Sequence, residues 1–104
     1  MGWRLVTYTR EFRGDELLEW IKMHGGYKVI EEARDETNAI TGVVIASAAG
    51  IIVVSKDVNW RMEVYSDTMQ NLYNLLLVLT KHTGELYETY IEEPAYADCD
   101  CRCG

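Results

Sequence analysis

The stretch ITGVVIASAAGIIVVS, residues 40–55, contains no charged side chain and must be hidden from water. It holds two clusters of Val and Ile, residues 43–45 and 51–54, separated by small residues that end in Gly50. A membrane-spanning helix needs about 20 apolar residues, and this stretch is shorter and contains hydroxyl side chains. Because β-branched residues favour strands, and a small-residue break ending in Gly suits a three-residue hairpin loop, we predict a buried β-hairpin rather than a membrane segment.

The segments around this hairpin alternate between strand and helix patterns. Two segments with apolar residues at helical spacing begin near Asp15 and Asp67, which we predict to be the N-caps, and stop at Gly25 and Gly84. Segments rich in β-branched and aromatic residues, or alternating between apolar and polar residues, predict strands. These strand segments are residues 3–10, 27–32, 58–65 and 86–92.

The order of these elements predicts the fold class. In chain order they read β-α-β-β-β-β-α-β, and runs of strands flanked by helices are typical of a two-layer α+β sandwich. We therefore expect a mostly antiparallel sheet of about five or six strands covered by two helices. The 104 residues suit a single domain, which we place at residues 1–94, followed by a short Cys-containing C-terminal tail at residues 95–104.

The charge balance narrows the possible partners and location. Seventeen acidic residues against ten basic ones give a net charge of −7, which repels nucleic-acid phosphates and attracts a basic protein surface. The N-terminal residues MGWRLVTYTR have no apolar core or cleavage site of a signal peptide. We therefore expect a cytoplasmic protein with reduced thiols that contacts neither nucleic acid nor a membrane.

The second predicted helix has more apolar positions than one sheet face requires. Beyond its core stripe, further apolar residues extend nearly around the helix. Either this helix is central and buried on two sides, or its extra face meets another copy of the chain. The second interpretation predicts a homodimer interface at Leu75, Leu77, Val78 and Leu79.

The sequence CDCRCG near the C-terminus is the clearest indication of a chemically reactive or metal-binding site. Cys99, Cys101 and Cys103 alternate, so an extended tail places three sulfur atoms on one side. Thiolates suit Zn²⁺ and Cu(I), but structural zinc normally has four ligands in more widely spaced pairs. The alternatives are a metal site completed by another residue or another copy, a redox role, and an exposed tail with inert thiols.

The segment of residues 85–100, which extends into the tail, combines acids with tyrosines. Acidic residues on an extended strand attract basic surfaces, and Tyr provides rigid contact area. The alternative is a solvent-exposed edge strand whose charges prevent aggregation. We predict that the following residues bind a protein partner: Glu85, Tyr87, Glu88, Tyr90, Glu92, Glu93 and Tyr96.

Catalysis is the function class that the sequence supports least. No nucleophile–base or acid–base pair can be argued from spacing, so we name no catalytic residue. The composition resembles that of the small acidic proteins that viruses and mobile elements encode to block host factors. We therefore expect a non-enzymatic interaction protein, an inhibitor or modulator that requires no cofactor. The alternatives are a Zn- or Cu-binding protein and a small-ligand-binding dimer with an aromatic-lined pocket.

Overall fold

The structure is a computed structural model that describes residues 2–93 of the chain. Its elements follow the predicted order β-α-β-β-β-β-α-β and confirm the α+β sandwich. In chain order they are β1 (Trp3–Thr9), α1 (Gly14–Met23), β2 (Tyr27–Arg34), β3 (Ile40–Ser47), β4 (Gly50–Lys56), β5 (Trp60–Ser66), α2 (Met69–Thr80) and β6 (Leu86–Glu92).

All six strands form one antiparallel sheet in the spatial order β2-β3-β4-β5-β1-β6. Strands β2 to β5 follow one another as a meander, and β1 lies between β5 and β6. The outer strands of the described sheet are therefore β2 and β6. Lys28, Glu31 and Glu32 are charged, and charged residues are typical of an edge strand. The sheet order confirms that β2 lies at an edge.

Both helices lie on one face of the sheet, where they bury a single core. Helix α2 packs against β4, β5 and β1, and α1 packs against β2. The helices contribute Leu and Ile side chains, and the strands contribute every second residue. The buried core residues are Leu5, Phe12, Leu17, Leu18, Ile21, Ile40, Val43, Ile45, Ile52, Val54, Met62, Val64, Leu72, Leu75 and Leu79.

The charge-free stretch forms the predicted hairpin, but its loop is shorter than predicted. Ser47 pairs with Gly50, so the loop consists of Ala48 and Ala49, and Gly50 is the first residue of β4. The hydroxyl of Ser66 donates a hydrogen bond of 2.6 Å to the carbonyl of Ala49, which fixes the loop against the end of β5.

Two predicted helix starts were wrong by one or two residues. Arg13 occupies the N-cap position of α1 without a capping hydrogen bond, and Asp15 lies in the first turn. Helix α2 is capped by Thr68 rather than Asp67. Neither helix in residues 2–93 is long and apolar enough to cross a membrane.

Candidate functional site

Most of the residues predicted to bind a partner lie on or beside β6. Glu85 precedes the strand, Glu93 follows it, and the other residues from Tyr87 to Glu92 lie within it. Strand β6 pairs with β1 on one side, and no strand in the described chain pairs with its other side. Tyr96 lies outside the described residues. The structure thus places the acidic Tyr-bearing segment at an outer edge of the sheet.

The acidic side chains of this segment differ in their partners. Glu92 forms an ion pair with Arg4 on β1 and is partly buried. Glu85, Glu88 and Glu93 are exposed and form no ion pair with any residue in the range 2–93. These three carboxylates are therefore available to a basic partner, whereas the charge of Glu92 is already balanced.

A β-bulge at Glu88 brings two tyrosines to the same side of β6. Tyr87 pairs with Tyr8 and Tyr90 pairs with Val6, with a register shift between them. Val6 and Tyr8 are two residues apart and face the same side of the sheet. Tyr87 and Tyr90 therefore also share that side, although they are three residues apart. Glu88 has a positive φ of 53°, as expected where an extra residue distorts the strand.

Tyr87 is the centre of the polar contacts at this corner of the sheet. Its ring centroid lies 5.9 Å from that of Tyr8, and the guanidinium of Arg10 lies 5.9 Å from its ring centroid. The side-chain amide of Asn59, in the turn between β4 and β5, donates a hydrogen bond to the Tyr87 hydroxyl. These contacts hold the ring in place at the edge of the sheet.

A cleft of about 350 Å³ opens beside Tyr87. We call it the Tyr87 cleft. Its lining combines two phenol rings with two carboxylates, and none of the lining residues within 2–93 is basic. The lining residues are Tyr8, Asp57, Val58, Asn59, Tyr87 and Glu88.

The lining of the Tyr87 cleft suits a cationic side chain. Neither Asp57 nor Glu88 forms an ion pair within the described part of the chain. Aromatic faces attract guanidinium and ammonium groups by cation–π contacts, and carboxylates form strong charge-assisted hydrogen bonds with them. A second cleft of about 360 Å³ is lined by Tyr87 together with Arg10 and Glu11. The chain itself thus places one guanidinium beside this ring.

Four lining residues of this cleft were not predicted from the sequence: Tyr8, Asp57, Val58 and Asn59. Tyr8 comes from β1, and Asp57 and Asn59 come from the turn before β5. Val58, predicted to lie on the buried face of a strand, is at the tip of this turn and is 89% exposed. No local spacing links these residues to β6, because pairing of distant strands brings them together.

The residues predicted to form a dimer interface on α2 do not share one environment. Leu75 and Leu79 are fully buried in the chain's own core, and Val78 packs partly against that core. Leu77 and Tyr73 are both exposed, although the helical spacing of Tyr73 with Leu72 and Leu76 predicts that it belongs to the core stripe. The available surface of α2 is therefore centred on Tyr73 and Leu77, and dimerisation there stays a prediction.

The predicted metal ligands Cys99, Cys101 and Cys103 lie outside the described residues. Within residues 2–93, no group of three or more His, Cys, Asp or Glu side chains is arranged to hold a metal ion. The buried His82 instead contacts Glu16 with its Nδ1 atom at 2.8 Å. The metal-binding alternative stays a prediction about the C-terminal tail.

Comparisons with protein-family models, curated proteins and solved structures gave no match for this chain.

Proposed function

We propose that the chain is a non-enzymatic interaction protein that binds a basic surface of a protein partner and thereby modulates or inhibits that partner. The β6 edge and the Tyr87 cleft form the contact, and the cleft receives an Arg or Lys side chain. The partner-binding residues named from the sequence supply the edge. Tyr8, Asp57 and Asn59 complete the cleft.

The main support for this proposal is the lining of the Tyr87 cleft. In the Tyr87 cleft, two tyrosine rings and two carboxylates line a space at the edge of the sheet, and neither carboxylate is neutralised by an ion pair in residues 2–93. Unpaired carboxylates beside aromatic faces favour a cation in both charge and shape. The net charge of −7 adds a long-range attraction that accelerates encounter with a basic partner.

The proposal is tested by comparing two variants with the same change in charge. Asp57→Asn with Glu88→Gln removes both carboxylates of the Tyr87 cleft. Glu19→Gln with Glu36→Gln removes two exposed acids from α1 and from the loop after β2. Each tagged chain is used to capture proteins from an extract of its source cells, and the dissociation constant of the captured partner is measured at several salt concentrations.

We expect the wild-type chain and the Glu19/Glu36 control to bind alike. The Asp57/Glu88 variant is expected to bind at least about tenfold more weakly and with a shallower salt dependence, because two charge-assisted contacts are lost. Unchanged affinity and salt dependence in the Asp57/Glu88 variant would contradict the proposal.

A further inference from the structure

The sheet face opposite the helices carries a patch of apolar side chains that the core does not include. Half of the charge-free hairpin points there, since alternate residues of a strand face opposite sides. These residues are Val44, Ala46, Ile51 and Val53, and we call them the open-face patch. Each is partly exposed, and none belongs to the buried core or to the side chains packed against it.

The strand register makes this patch continuous. Val44 pairs with Val53, and Ala46 pairs with Ile51, so the four side chains form two adjacent cross-strand pairs. An antiparallel sheet with one face in water normally alternates apolar and polar residues. Strands that are apolar on both faces are typical of sheets covered on both sides. The hairpin therefore has the composition of a structure whose second face is also covered.

The charges around the open-face patch balance one another. By register, three basic and three acidic residues lie on this face. They are Arg4, Lys28, Arg61, Glu31, Glu63 and Glu92.

Some of these opposite charges neutralise one another directly as ion pairs. Glu63 contacts Arg4 at 3.6 Å and Arg61 at 3.0 Å. The hydrogen bond from Arg61 to Glu63 is the main cause that raises the pKa of Arg61 above its ordinary value. The charges that strand pairing within residues 2–93 places around the open-face patch thus sum to zero, in a chain whose net charge is −7.

We propose that the open-face patch is the contact surface of a homodimer in which two sheets pack face to face. Two copies with a charge of −7 repel each other over most approaches, and a patch surrounded by balanced charges removes that repulsion where they touch. A basic partner, by contrast, finds no excess negative charge around the open-face patch itself, since the unpaired carboxylates of the Tyr87 cleft lie at the β6 end of the face.

The size of the open face is sufficient for a stable contact. Six strands about 4.8 Å apart and three rows of outward residues about 6.8 Å apart give a face of roughly 600 Å² per copy. Two such faces exceed the total of about 1,000 Å² that specific interfaces require. The contact is centred on β3 and β4, and Tyr87, Tyr90 and Glu92 of β6 lie at the far end of the same face. The dimer therefore goes beyond the proposed function, and it competes with the basic partner for that end of the face.

The test is sedimentation velocity of the full chain from about 1 to 500 μM. We expect a concentration-dependent equilibrium between monomer and dimer. Val53→Lys places a charge in the patch opposite Glu63, where the monomer tolerates it. Leu77→Lys makes the same change of charge on the exposed face of α2. Val53→Lys is expected to weaken dimerisation at least tenfold. Its thermal unfolding midpoint is expected to match that of wild type at concentrations where both chains are monomeric, and to be lower where wild type is dimeric. Leu77→Lys is expected to dimerise at least as well as wild type.

Three results would overturn the proposal: a wild-type chain that stays monomeric over the whole range, a Val53→Lys variant that dimerises like wild type, or a loss of dimer in Leu77→Lys alone. If Val53→Lys does not fold, Ile51→Thr keeps a β-branched residue and is expected to weaken dimerisation several-fold. Added salt separates this contact from the proposed function. It strengthens the dimer by screening the repulsion between copies, and it weakens the binding of a basic partner.

Discussion

At Gly50, the first residue of β4 passes so close to β5 that a Cβ atom would lie 2.0 Å from the carbonyl oxygen of Tyr65. The φ angle of Gly50 is +151°, a value that residues with side chains rarely adopt. Both features place glycine at the point where the hairpin loop joins the sheet. The sequence predicts a special role for this glycine, but only the pairing of β4 with β5 supplies the reason.

Gly50→Ala is expected to lower the free energy of unfolding by at least about 2 kcal/mol, because the methyl group overlaps backbone atoms and the backbone is strained. Gly25→Ala is the matched control. A Cβ atom at Gly25 meets no atom within 4 Å, so a change within about 0.5 kcal/mol is expected. Urea unfolding of the three chains measures both values, and equal stability of the two variants would contradict the close approach.

Asp35 organises the loop between β2 and β3 through its carboxylate. One oxygen accepts hydrogen bonds from the amide of Thr37 at 2.8 Å, from the hydroxyl of Thr37 at 2.6 Å and from the amide of Ala39 at 3.1 Å. The side-chain hydrogen bond from Thr37 is the main cause that lowers the pKa of Asp35 below its ordinary value of 3.8. The ionised form therefore stabilises the folded loop.

We expect Asp35→Asn to be less stable than wild type at pH 7, and the difference to shrink as the pH falls below about 4. The sign follows from the lowered pKa. The stabilisation is complete above the unfolded-state pKa and is lost as the pH falls through the lower folded-state pKa. Urea unfolding between pH 7 and pH 2.5 checks this, with Glu36→Gln as a control of equal charge change. A difference that stays constant with pH would refute the role of the ionised carboxylate.

The helix ends show how precisely a sequence pattern can place the first residue of a helix. Asp67 and Thr68 are both suitable N-cap residues, and the apolar spacing of α2 does not separate two adjacent candidates. In the structure, Thr68 has extended backbone angles and its hydroxyl accepts a hydrogen bond from the amide of Asn71 at 3.1 Å. The backbone conformation after β5 thus places Thr68, and not Asp67, at the N-cap position.

Thr68→Ala should cost about 1 kcal/mol of stability, since the amide of Asn71 loses its side-chain partner. Thr80→Ala provides the control at the other end of α2. The hydroxyl of Thr80 bonds to the carbonyl of Leu77 within the same helix, and such bonds add little stability to a helix. Thermal unfolding followed by circular dichroism compares the two variants, and equal losses would argue against Thr68 as the cap.

Strand patterns located most of the sheet, and strand β6 matches its predicted bounds. Strand β5 was predicted to begin at Val58, because Val58, Trp60 and Met62 continue the same alternation. The turn ends before Trp60, where the amide of Asp57 donates to the carbonyl of Asn59 at 2.7 Å. Alternation alone did not show where pairing with β4 stops.

The candidate site was predicted in part. Glu85 to Glu93 stand together in the sequence, so their charge and aromatic content were visible as a local pattern. The Tyr87 cleft needs Tyr8 and Asp57, which are far from β6 in the chain, and the bulge at Glu88 that turns Tyr87 and Tyr90 to one side. These features arise from pairing between distant strands, which no single segment encodes.

In the whole molecule, the charge-free hairpin contributes apolar side chains to both faces of the sheet. Ile45, Ile52 and Val54 face the helices and are buried in the core, whereas Val44 and Val53 face the opposite side. A two-layer sandwich covers one face of such a hairpin, so the apolar second face is left for another molecule. The sequence predicted that this stretch must be hidden from water, and within one chain the helices hide half of it.

The most direct test of this arrangement is an isotope-filtered nuclear Overhauser experiment on an equal mixture of methyl-labelled and unlabelled chains. If two sheets pack face to face, contacts between chains are expected at the methyl groups of Val44, Ile51 and Val53. Contacts within one chain are expected between Ile52 or Val54 and the leucines of α2. Contacts between chains at Leu77, or contacts of Val53 with α2 in the same chain, would contradict this arrangement.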